Sequence, residues 1–127
     1  MSYDTSIIID TGGEYPAEVE DIGNYTSNVS EMYRLAMPGP YAGGGKYDGV
    51  KDLGEERVGL PGISGLQCTQ AAEILRLGIV YMEEHRKELI KLEPENGWGS
   101  YQGALDYLRK IHDACVRHPK ATLAVNW

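Results

Sequence analysis

Phenylalanine is absent from this 127-residue chain, and cysteine is scarce, with two in all. Two thiols, Cys68 and Cys115, cannot build a disulfide framework, so they read as buried free cysteines in a chain held together by its core. Long apolar runs are missing as well. The longest, Leu77 to Met82, is far too short to span a bilayer, so no membrane partner is expected. Met1-Ser2-Tyr3-Asp4 has neither a basic n-region nor an apolar h-region. No signal peptide is therefore expected, and the glycosylation patterns at Asn24-Tyr25-Thr26 and Asn28-Val29-Ser30 carry no meaning. The expected location is a cytoplasm. Lys and Arg are missing from the first 33 positions, which hold seven acids: Asp4, Asp10, Glu14, Glu18, Glu20, Asp21 and Glu31. From Arg34 onward the signs balance at twelve each, so the net charge of −7 belongs to the N-terminal segment. This argues against direct nucleic-acid binding through a basic surface.

What is present fits one soluble domain, residues 1–127, with 42% hydrophobic residues and enough chain to bury one core. Tyr3 to Thr11 alternates and is rich in β-branched residues, which predicts a strand; Glu14 to Ile22 reads as its antiparallel partner. A three-residue loop, Gly12 to Glu14, sets Ile9 opposite Ala17 and Ile7 opposite Val19 and gathers the apolar residues on one face. Asn28 with Glu31 resembles a capping box, and Val29, Met32, Tyr33 and Ala36 follow as a helical stripe that stops before Pro38. Residues 38–65 hold nine glycines in twenty-eight positions and show neither period, which predicts a long loop. Thr69 to Glu84 is helical and so apolar that burial nearly all round is expected, shared with a second copy of the chain; a homo-oligomer, most simply a dimer, follows. A last helix from Ser100 to Arg117 turns Tyr101, Ala104, Leu105, Leu108, Ile111 and Cys115 inward. After Pro119, Leu123, Val125 and Trp127 alternate as on a strand. The fold class is α+β: a small antiparallel sheet, made of the N-terminal hairpin and the C-terminal strand, with about three helices on one face.

The most sharply specified stretch is Pro94 to Gly103. Gly97 and Gly99 bracket Trp98, so the backbone is expected to visit positive φ and present the indole from a tight turn. Ser100 is a good N-cap for the helix that follows. Gly103, inside the first helical turn, is better explained by a close backbone approach than by propensity. The apolar helix, the Pro94-Glu95-Asn96-Gly97-Trp98-Gly99 turn, the Gly103-Ala104-Leu105 helix start and a strand after His118-Pro119 together cover Cys68 to Trp127. This half resembles small bacteriophage-encoded proteins to which no activity is attached. The resemblance implies a phage or prophage source, hence the cytoplasm of an infected bacterial host. By analogy with small accessory phage proteins, it also implies binding of a host factor or sequestration of a host signal.

Several chemistries are tested by spacing and fail. Gly43-Gly44-Gly45-Lys46 invites a phosphate-loop reading, but Pro40 stands where that loop needs Gly and Tyr47 where it needs Ser or Thr. His112 and Cys115, three apart on one helix, could face one ion, but two ligands do not make a zinc site, so no metal and no cofactor are expected. Cys115 on an apolar stripe is a poor nucleophile. Adjacent acids such as Glu83-Glu84 point apart and are no dyad. No catalytic residue is assigned.

Aromatic usage is what stands out: nine Tyr, two Trp and no Phe. Tyrosine suits surfaces that are apolar but wet, interfaces included. The binding set read from the sequence is Asn96, Trp98 and Tyr101 at the turn, with Tyr41, Gly44, Lys46 and Tyr47 from the Gly-rich stretch. Tyr101 also falls on the inward stripe, and Trp98 plugging the end of the core is the competing reading. Asp4, Asp10, Glu18 and Glu20 are expected on the outer face of the hairpin as an acidic surface for a basic partner. The expected function is a non-enzymatic accessory binding protein that engages a host protein or a small signal, the nucleotide type included. The alternatives are a structural phage component acting through homo-oligomerisation and a small hydrolase or transferase using acids and a His.

Overall fold

The computed structural model describes residues 2–41 and 57–127. Strands β1 (Ser2–Ile9) and β2 (Ala17–Thr26) form the hairpin, followed by helices α1 (Ser30–Ala36), α2 (Gly59–Gly62), α3 (Cys68–Glu84), α4 (Arg86–Ile90) and α5 (Tyr101–Arg117) and strand β3 (Thr122–Asn126). The sheet is antiparallel throughout, in the order β2-β1-β3, so the C-terminal strand joins the hairpin on its β1 side. This is the expected α+β fold. Among the described residues, no helix is long and apolar enough to cross a membrane.

Tyr3, Thr5 and Ile7 alternate inward along β1, and Leu123 and Val125 do so along β3. Against them lies α5, packed on β1 and β2 on one side and on α3 on the other. Its inward stripe is fully recovered: Tyr101, Ala104, Leu105, Leu108, Ile111 and Cys115 are all buried, and Tyr107 and Ala114 join them. Each wholly buried Leu or Ile here contributes about 1.5–3 kcal/mol relative to exposure. The free edge of β3 is closed by the segment before α3, with Gly65 N donating to Leu123 O at 2.8 Å, Leu123 N to Leu66 O at 2.9 Å and Cys68 N to Ala121 O at 2.8 Å.

Three expectations are corrected. The hairpin starts in the expected register, Ile9 opposite Ala17, but irregularities between Ile7 and Ile8 and between Thr5 and Ser6 shift it, so Ile7 faces Glu20 rather than Val19. The extra residues bring Ile22 into the core and leave Val19 exposed, and Ile9, at the hairpin end, is exposed too. Asn28 does not cap α1: Thr26 Oγ1 accepts from Asn28 N at 3.3 Å instead, opening a 3-10 turn over Ser27–Val29. Residues 59–62, inside the stretch expected to be loop, form the short α2, and residues 42–56 of that stretch lie outside the described residues. Leu60 and Ile63 are fully buried, and the short α2 is simply too brief to show a period. Within one chain α3 is fully buried along one stripe, Cys68, Ala71, Leu75, Gly78 and Met82, while Leu77 is 55% and Val80 39% exposed, so burial all round is not reached within a single copy.

Candidate binding site

The segment after α4 is built by local hydrogen bonds that its sequence dictates. Asn96 Oδ1 accepts from Trp98 N at 2.9 Å, an Asx turn, and Gly97 N donates to Pro94 O at 3.3 Å. Gly97 and Gly99 take φ of 76° and 107°, as the two bracketing glycines predict. At Gly99 a side chain is excluded twice over, since a Cβ would also lie 2.7 Å from Thr26 Cγ2. Ser100 Oγ accepts from Gly103 N at 3.0 Å and so caps α5 as expected.

Long-range bonds then tie this turn to the rest of the molecule. Tyr101 N donates to Glu93 Oε2 at 2.9 Å, closing the base of the turn. Ser100 N donates to the Tyr25 hydroxyl at 3.1 Å, and Asn28 Nδ2 donates to Trp98 O at 3.3 Å. Tyr25 is itself held by stacking on Tyr107, centroids 5.6 Å apart. The close approach expected at Gly103 is real: a Cβ there would overlap the Tyr25 hydroxyl.

On this tethered frame Trp98 is 70% exposed. It does not plug the core. Beside it opens a cleft of about 640 Å³ lined by Ser2, Asn24, Tyr25, Thr26, Asn28, Gly97, Trp98 and Gly99, none of them charged. The five lining residues from the first 28 positions were not singled out in the sequence. Asn24, Tyr25 and Thr26 extend β2 past Ile22, where the expected strand ends, and the pairing of this end with a segment seventy residues away has no local signature.

The other expected contact residues are placed elsewhere. Tyr101 is 4% exposed, donates its hydroxyl to Met82 O at 2.8 Å and belongs to the core. Asn96 is exposed, with its carbonyl oxygen engaged by the turn. Tyr41 is half-buried, its N donates to Arg57 O at 3.0 Å, its burial raises the hydroxyl pKa, and it does not line the cleft. Gly44, Lys46 and Tyr47 lie outside the described residues.

The acidic surface is not assembled as expected. Asp4 and Glu18 are exposed, but Asp10 lies past the end of β1 and accepts from Gly12 N at 2.8 Å. Glu20 is carried by the shifted register to the end of α5, where it pairs with Arg117 and with His118 Nε2 at 3.0 Å. The hydrogen bond from Arg117 holds the Glu20 carboxyl below the usual carboxylate range. A second cleft of about 260 Å³ opens beside His118, lined also by Ile9, Val19, Pro119, Lys120 and Ala121. It offers a carboxylate-supported imidazole but no Ser, Thr or Cys in its lining to act as nucleophile.

The thiols of Cys68 and Cys115 are both fully buried. The Cys115 thiol is pushed up by its hydrogen bond with Cys68 and by burial, which favours the neutral, unreactive form. His112 pairs through Nδ1 with Asp113 Oδ1 at 3.1 Å. Among the described residues, no three His, Cys, Asp or Glu side chains converge on a metal position. No protein-family model, no curated protein and no solved structure matches this chain.

Proposed function

We propose that this chain is a non-enzymatic accessory binding protein, of the phage-encoded kind its C-terminal half resembles, that engages a host protein or sequesters a small host signal through the Trp98 turn and the cleft beside it. One observation carries the reading: a large aromatic is held 70% exposed on a turn whose backbone is bonded to two other parts of the fold. Large aromatics are ordinarily buried, and an indole held in solvent on a tethered turn has the apolar body and polar tip that suit a binding anchor. Fixing the turn beforehand lowers the entropy lost when a partner orders it.

The test is capture from bacterial lysate by the intact chain and by its Trp98→Ala variant, with mass spectrometry of retained proteins and small molecules. A partner held by the first and lost by the second, at unchanged melting temperature, is expected. Equal capture by both overturns the assignment of the site. The structural alternative rests on the outer side of α3, where Leu77 and Val80 give an oligomer interface a place to form. Light scattering on the same protein at high concentration checks it, and a monomer removes it.

A further inference from the structure

We infer that the cleft beside Trp98 is a site for a neutral sugar ring, with the indole as stacking platform and Asn24, Asn28 and Ser2 as its hydrogen-bonding groups. This rests on the reading of Trp98 as the contact site and goes further by naming the ligand chemistry. The indole face is the negative side of a quadrupole, which attracts the polarised C–H groups on the flat face of a pyranose. A sugar hydroxyl both donates and accepts, and so does an Asn amide or a Ser hydroxyl. Among the described residues, no side-chain hydrogen bond engages Asn24 or Ser2, and Asn28 spends one donor on Trp98 O at 3.3 Å and keeps its carbonyl oxygen.

The volume, about 640 Å³, falls within the range of small-molecule sites. The charge pattern separates a sugar from a nucleotide. Among the described residues, no Lys, Arg or His lines the cleft, whereas a phosphate is bound through charge-assisted hydrogen bonds. Asp4, exposed, is the cross-strand partner of Asn24, so the strand position facing that lining residue carries an acid, which does not favour an anion.

The experiment follows the Trp98 indole Nε1–H signal in the intact chain by nuclear magnetic resonance. The probes are maltotriose, triacetylchitotriose, adenosine and AMP, each at up to about 10 mM, where sites weaker than about 1 mM are still seen. Saturable shifts with a trisaccharide are expected. Affinity should fall about tenfold in Asn24→Ala, read on the indole, and be lost in Trp98→Ala, read on the backbone amides of Asn24, Asn28 and Gly97, since a hydrogen bond accounts for about tenfold and an aromatic stack for that or more. Retention on amylose or chitin without a response to the trisaccharides would place the ring within a polymer. A response to AMP that exceeds every saccharide overturns the inference, as does silence towards both the trisaccharides and the polymers. In that last case, lysate capture that still depends on Trp98 would leave the wider binding reading standing.

Discussion

Tyr107 is placed where a ring is needed on one side and a hydroxyl on the other. Its ring stacks on Tyr25, while its hydroxyl meets Thr5 Oγ1 at 2.7 Å and donates to Gly23 O at 3.0 Å. Tyr33 donates to Ala104 O at 2.9 Å and Tyr101 to Met82 O at 2.8 Å, so each of these buried hydroxyls finds a carbonyl partner inside the core. Burial keeps the hydroxyls neutral, pushing Tyr3 up to about 12 and raising Tyr107 and Tyr33 as well. The missing phenylalanine thus has a use inside the core as much as at a surface, which composition alone could not distinguish. Tyr107→Phe leaves Thr5 and Gly23 without their partner and is expected to cost about 1–3 kcal/mol in urea unfolding. Tyr15→Phe, at a ring 75% exposed, is the control and should stay within about 0.5 kcal/mol. Equal effects at the two sites would mean that the buried network contributes nothing.

Helix α5 shows how an element can be written in its first four residues. Ser100 caps it, Gly99 turns the chain into it at φ of 107°, and Gly103 makes room for the Tyr25 hydroxyl. These features were legible because caps and positive-φ glycines act locally. The shifts in β2 were not, since nothing within one strand marks the register it takes against another. Nor was the half-burial of α3, because apolar content states what a helix can bury and not how much neighbour there is to bury it. Gly→Ala in a helix ordinarily stabilises by up to about 1 kcal/mol. Gly103→Ala should do the reverse, lowering the melting temperature by several degrees as Tyr25 is pushed off Ser100 N. A stabilised variant would show that the contact between β2 and α5 is loose.

For the molecule as a whole, the acid-rich N-terminal segment finds part of its counter-charge at the far end of the chain. Glu20 meets Arg117 and His118, ninety-seven and ninety-eight positions on, so the charge asymmetry visible in the sequence overstates the acidity of the folded surface. The hydrogen bond from Arg117 lowers the folded-state pKa of Glu20. Its contribution is therefore fully present above the ordinary Glu value, about 4.3, and is lost as pH falls through the lowered folded value. Glu20→Gln should flatten the acid side of the melting-temperature profile while changing little in the balance between pH 7 and 9; an unchanged acid slope would remove the pair as a source of stability. Binding at Trp98 depends on something more central, that the indole is displayed from a frame already rigid in the free protein. Backbone amide order parameters across Gly97, Trp98 and Gly99 in the unliganded chain test this most directly. Values near 0.85, like the middle of α5, alongside a solvent-exposed indole are expected; values below about 0.6 would describe a flexible turn and contradict a preformed site.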